Sequence, residues 1–324
     1  MTKEKNNIIY ILKCFAIISV ICAHCNSIPN DSIYVIKCFS CILSNWGTYG
    51  VGLFFIVSGY LFNPEKDRYS FFKKKLINIC IPWLTSSVLV YLYVHLRSMD
   101  LSIIGFIQFL FGFNSYLYYL SVIMLLYIIY YFIPLLRRVF ALIIAIVINL
   151  VFVLGTIKVP YISEYINIAN WIGYFALGVL IKSHLEIFGK IKTIIYNNKV
   201  LFAILHVCIL ITKVLYLSRG SYWGCFNAIQ MWSGMTLLYI LAMASSNGSL
   251  FTIIGKYSFT IYLWHIPFAG MTAKLMSKGI LIYFVLIRPV IVLVVTLFLL
   301  KTIEIIMNKM RFHKLMVVIG LPRD

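Results

Sequence analysis

Lys13 and His24 stand in an otherwise apolar run, ILKCFAIISVICAHCN. An ionisable side chain in such a segment is costly to bury and is a functional candidate. On a helix, eleven residues at about 100° each make three turns plus roughly 20°, so the two side chains share one face about 16 Å apart. A cation and an imidazole so placed could hold two ends of a long anionic ligand, and a neutral histidine can take the proton of an attacking hydroxyl. The ordinary alternative is that Lys13 snorkels to headgroups while His24 lies near the outer interface. His265, in GKYSFTIYLWHIPF, is a second imidazole in an apolar run. It reads equally as a histidine satisfied by a neighbouring helix. Lys73, Lys74 and Lys75 precede Pro82. Such a basic cluster suits phosphates, and it suits anionic lipid as well.

The cysteines carry a weaker signal. Cys22 and Cys25 form one C-x-x-C and Cys38 and Cys41 another, with twelve residues between the pairs. A zinc ribbon has comparable spacing, but its turn-forming Gly and Pro are missing here and the neighbours are apolar, so no metal is expected. An extracytoplasmic disulfide stays open. Cys14, Cys80, Cys208 and Cys225 read as small core residues.

The elements that must hold these groups follow from composition. The chain has 324 residues, 62% hydrophobic and 11% charged. One soluble core cannot cover that much apolar surface, whereas a bilayer can if the backbone bonds to itself as helices. The expected fold is all-α, a polytopic membrane bundle of about ten transmembrane helices. The spans fall near 8–28, 42–62, 77–96, 117–136, 139–157, 167–182, 199–217, 226–245, 252–273 and 280–303. The apolar stretch 101–113 is short, and suits a re-entrant or interfacial piece or the start of span four. Only Lys3 and Lys5 precede the first run and no small-residue cleavage site follows it, so it is a span and not a cleaved signal. Residues 1–324 form one integral membrane domain, with no soluble domain expected.

The net charge of +19 would suggest nucleic acid on a soluble protein. Here the basic residues punctuate apolar runs and act as topology signals, so no nucleic-acid partner is expected. With the ten spans above, nineteen Lys and Arg fall on the side of the termini and eight on the other, with Lys13 inside span one. That bias puts both termini in the cytoplasm.

Taken in order, these pieces resemble the acyltransferase-3 family of bacterial membrane acyltransferases. The family opens with Arg or Lys, ten residues and His, matched by Lys13 and His24. Its "lFFxxSGyl" segment is matched by Leu53 through Leu61, and its basic stretch leading to an apolar-Pro pair by Phe72 through Pro82. Its late "ys…iYlxH.p" segment is matched by Tyr257, Ser258, Ile261, Tyr262, Leu263, His265 and Pro267. Two departures stand out. A second basic residue three after Lys75 is replaced by Asn78, and a "His-Leu-Trp-Phe-Leu" run by Tyr116-Leu117-Tyr118-Tyr119-Leu120. Many relatives carry a C-terminal hydrolase-like domain, and this chain is more similar to the short members that modify surface glycans.

The resemblance implies transfer of an acyl group, usually acetyl, from cytoplasmic acyl-CoA to a carbohydrate hydroxyl. Acetyl-CoA is then a co-substrate and no cofactor is bound permanently. His24 would be the base. Lys13, Ser58, Lys73, Lys74 and Lys75 would hold the donor, and Tyr60, Tyr119 and His265 would support the substrate. The partners are acyl-CoA, a glycan or glycolipid acceptor and membrane lipid, in a bacterial cytoplasmic membrane. A glycan exporter with Lys13, His24 and His265 lining a polar path is the competing reading, but it would favour internal repeats, and none is seen. A third reading is a structural partner in a glycan-assembly complex.

Overall fold

Lipid offers the backbone no hydrogen bonds, so an apolar chain of this kind must satisfy its own N–H and C=O groups. In the computed structural model, which describes residues 3–64, 67–95, 101–113, 115–245, 249–277 and 285–322, every regular element is a helix. Lys66, Arg97, Lys278 and Arg323 of the charge count lie outside the described residues, as does the start of the expected last span. The first helices are α1 (Lys3–His24), α2 (Tyr34–Gly47), α3 (Tyr49–Tyr60), α4 (Arg68–Lys75) and α5 (Ile81–His95). Next come α6 (Ile103–Phe111), α7 (Tyr118–Phe132), α8 (Val139–Gly155), α9 (Ile172–Ser183) and α10 (Leu185–Asn197). The last are α11 (Lys199–Leu215), α12 (Cys225–Ala244), α13 (Ser249–Ser277), α14 (Arg288–Lys309) and α15 (His313–Ile319).

Five helical stretches are long and apolar enough to cross a bilayer: Asn7–His24, Tyr34–Tyr60, Arg68–His95, Cys225–Ala244 and Arg288–Lys309. The pair α9 and α10, bent by 106°, makes a sixth if it is one broken span. The expected spans at α7, α8, α9 and α11 are helices of 15, 17, 12 and 17 residues. A crossing takes about 20 residues. The shortest, α9, is enclosed by protein, with Tyr174, Phe175 and Ala176 buried. The outer surface is apolar, as a lipid-facing surface should be: Phe140, Phe298 and Ile305 are exposed. Cys208 and Cys225 are exposed too and only Cys14 of their group is buried, so the core reading of these cysteines is corrected. In lipid, an apolar thiol need not face inward. All eight cysteines are free thiols.

Stretch 101–113 is a separate short helix. Ser102 caps α6 by accepting from the Gly105 N–H at 2.9 Å, and Gly112 ends it at φ 81°. Helix α10 fills the interval between the expected spans 167–182 and 199–217. It carries Ile187, Phe188, Ile191 and Ile195 on one face and Glu186 and Thr193 on the other, which suits a helix lying along a membrane surface.

Two close crossings position the interior. A Cβ on Gly255 of α13 would strike the Tyr10 carbonyl oxygen of α1. Gly59 of α3 and Gly178 of α9 meet reciprocally, against the Phe175 and Ile56 carbonyl oxygens. Small residues at such crossings let helix backbones approach, and here they bring Ser58 and His265 inward.

Candidate active site

A cavity of about 220 Å³ opens where α1, α3, α4, α7 and α13 converge. Its walls include Lys13, Ser58, Lys75, Tyr119, Tyr127, Ser258 and Tyr262. Tyr119, Ile123 and Tyr127 recur every four residues on α7, so all three face it. The Ser58 and Tyr119 hydroxyls are hydrogen bonded at 3.0 Å. The helix type changes just after Lys75. The turn Leu76–Cys80 is a π-helix. Pro82 lacks an N–H and its ring would crowd the Asn78 carbonyl, and a wider turn relieves both problems. The Lys75 ammonium lies 3.5 Å from the Tyr127 ring centroid. Neither Lys13 nor Lys75 has a carboxylate partner among the described residues. Two like charges thus share one cavity, an arrangement suited to an anion.

Lys73 and Lys74 are exposed and do not line the cavity, and Tyr60 does not line it either. Lys73 instead lies over the Tyr69 ring, 5.2 Å from its centroid.

Beyond the cavity floor lies a histidine pair. The His24 and His265 ring centroids are 5.1 Å apart, although 241 positions separate the residues in sequence. Tyr116 touches both, at 6.3 Å from His24 and 5.4 Å from His265. Tyr262 joins the pair to the cavity, 5.6 Å from both Tyr119 and Tyr116. His24 is exposed and His265 fully buried.

Hydrogen bonds distinguish this pair from the other buried imidazole. Both nitrogens of His206 are engaged, Nε2 with Tyr49 at 3.2 Å and Nδ1 with Ser233 at 2.9 Å, as in a structural histidine. In His265, Nδ1 faces the Tyr262 and Ile261 carbonyls at 2.8 and 3.2 Å. A carbonyl only accepts, so Nδ1 carries the hydrogen, and in the neutral ring the lone pair sits on Nε2. That Nε2 is buried without a hydrogen-bond partner among the described residues. The local backbone has its own logic. Pro267 lies inside α13 and has no N–H to give the Leu263 carbonyl. The Tyr116 hydroxyl donates to that carbonyl at 2.7 Å, and the Tyr262 hydroxyl donates back to the Tyr116 carbonyl.

A family model described as an acyltransferase domain matches residues 6–302, a stretch that includes every one of these groups. The chain belongs to the acyltransferase-3 family. It is a multi-pass membrane protein built of helices, and an acyltransferase in the general sense of that family. Curated proteins and solved structures give no match. The family's opening Lys-to-His spacing puts Lys13 in the cavity and His24 in the histidine pair.

The sequence reading did not single out Tyr116, Tyr127 or Tyr262 as site residues. Tyr116 had a signal, since it stands where the family's run has histidine. Tyr127 had the four-residue repeat from Tyr119. Among the described residues, no cluster of His, Cys, Asp or Glu could hold a metal ion.

Proposed function

We propose that this protein is a membrane O-acyltransferase that moves acetyl from acetyl-CoA to a hydroxyl of a cell-surface glycan or its lipid-linked precursor. The observation that carries the reading is the cavity holding Lys13 and Lys75, joined through Tyr262 to the His24–His265 pair. At about 220 Å³ it is smaller than the ~300–1,000 Å³ of sites that enclose a drug-sized ligand. It suits the narrow arm of acyl-CoA, with the nucleotide outside. Lys73 and Lys74, exposed just ahead of Lys75, then meet the nucleotide phosphates. Ser58 and Tyr119 offer hydroxyls to the polar atoms of the arm.

The acceptor hydroxyl oxygen attacks the thioester carbonyl and forms the new ester C–O bond. The hydroxyl proton passes to His24, the C–S bond breaks, and the CoA thiolate leaves and is protonated from solvent or from the imidazolium. His265, whose Nε2 lone pair is unpartnered in the resting structure, is placed to accept from the His24 ring once that ring takes the proton. The enzyme sits in a bacterial cytoplasmic membrane with about ten crossings and both termini inside, and α7, α8, α9 and α11 supply the shorter ones.

The test is His24→Asn in purified, folded protein given labelled acetyl-CoA and candidate glycans. Asparagine keeps hydrogen bonding but cannot take a proton at neutral pH. Turnover should fall by about 10²-fold or more while acetyl-CoA binding persists. Near-normal turnover would remove His24 as the base.

A further inference from the structure

Resting on the acyltransferase reading, we infer that Arg288 forms an oxyanion subsite at the outer mouth of the active site, holding a carboxylate or phosphate of the glycan acceptor. Arg288 opens α14 and is fully buried. Its Nη1 donates to the Ser27 carbonyl at 2.6 Å, with the Ser27 hydroxyl at 3.4 Å. Its Nε and Nη2 are buried with no hydrogen-bond partner among the described residues. These two N–H groups form one edge of the guanidinium, the edge that takes a carboxylate or phosphate through two parallel hydrogen bonds. The group keeps its charge at any physiological pH. No carboxylate pairs with it among the described residues, where the ion pair found is Lys158–Glu164. A buried, unpaired charge is among the costliest groups a protein can keep.

Anchoring the loop does not explain that cost. One hydrogen bond to a carbonyl needs no guanidinium. The same loop is already gripped from another side by Arg219, whose Nη2 donates to the Asn26 carbonyl at 3.1 Å and side-chain oxygen at 2.8 Å. Position selects the ligand. Ser27 is three residues past His24 and is exposed, and its hydroxyl lies 3.4 Å from Arg288 Nη1, so an anion reaching that hydroxyl is beside the guanidinium. The lysines of the donor cavity begin at Lys13, about 16 Å away along α1. The CoA phosphates are therefore at the wrong end to reach Arg288. The acceptor must bring its hydroxyl to His24, and an anionic group next to that hydroxyl meets Arg288.

The protein is placed in phosphatidylcholine nanodiscs and titrated, at constant ionic strength, with glucuronate, glucose 1-phosphate or glucose. Thermal unfolding and binding are followed in wild type, Arg288→Gln and Arg288→Lys. At least one of the two anions should stabilise wild type and bind about tenfold or more tighter than to either variant, with glucose inert. Glucuronate alone would point to a sugar acid in the acceptor, and glucose 1-phosphate alone to the phosphate of a lipid-linked one. Arg288→Lys keeps the charge and can keep the Ser27 contact, so it serves if the Gln variant does not fold. Equal responses in wild type and Arg288→Lys, or no response to either anion, overturn the subsite. So does loss of the anion effect in phosphatidylglycerol discs, which would make it a headgroup site. Arg288-dependent binding in a protein that never transfers acetyl would leave the subsite standing and count against the acyltransferase reading.

Discussion

Four lysines of the proposed donor site are not equivalent. Lys13 and Lys75 line the cavity, whereas Lys73 and Lys74 face outward from the preceding turn. A charge-assisted hydrogen bond contributes about 1.5–3 kcal/mol, or roughly 10–100-fold in affinity. An exposed charge near a phosphate contributes less and is screened by salt. Lys13→Ala and Lys75→Ala should each raise KM for acetyl-CoA by about tenfold or more with little change in kcat, the pattern of lost uniform binding. Lys73→Ala and Lys74→Ala should raise it only a few-fold, and less as salt rises. Steady-state kinetics at two ionic strengths checks this, and an unchanged KM in the first pair would return those lysines to topology and snorkelling. Residue type and spacing were enough to nominate Lys13, Lys75, His24 and His265, and the family resemblance added Ser58 and Tyr119. They could not separate Lys75 from its two neighbours, because that difference depends on which side of α4 is turned toward the cavity. Nor could they assign the His265 hydrogen, which depends on carbonyls inside its own helix.

At the scale of elements, the apolar runs were legible and their breaks were not. Apolar length shows that a segment is helical, but a helix enclosed by protein need not reach across a bilayer, so α9 stops after 12 residues and turns by 106° into α10. Proline was visible in α13, yet its consequence depends on Tyr116, which lies about 150 positions earlier in the chain. Pro267 leaves the Leu263 carbonyl without its helical donor, and the Tyr116 hydroxyl replaces it. A buried acceptor left unpaired costs about 1–3 kcal/mol. Tyr116→Phe should therefore destabilise the protein by about that much. In a Pro267→Ala background an N–H is restored, and the same change should cost about 1 kcal/mol less. Thermal unfolding of the four proteins measures the coupling, and strict additivity would show that the hydroxyl and the missing N–H are unrelated.

For the whole molecule, the topology expected from the charge pattern and the order of the proposed site can be tested together. The expected topology has the termini and Lys73–Lys75 on the cytoplasmic side, and Arg219 and Arg288 on the other. The structure sets the Lys13–Lys75 cavity about midway along α1 and the His24–His265 pair, with Arg288 beyond it, at the helix's C-terminal end. The proposed reaction needs that order, because acyl-CoA is made in the cytoplasm and the glycan is displayed outside. The two ends of α1 must therefore face opposite compartments. With α1 entering from the cytoplasm, an even number of crossings returns the chain there. A reporter that is active only in the cytoplasm, fused after Asp324, should be active, and one that is active only outside should be silent. The same pair of reporters inserted at 159–163, between α8 and α9, should give the reverse. Activity of the external reporter at Asp324 would make the number of crossings odd. An inverted result at both sites would put the lysine cavity outside the cell, out of reach of acyl-CoA, and would end the proposed function along with the topology.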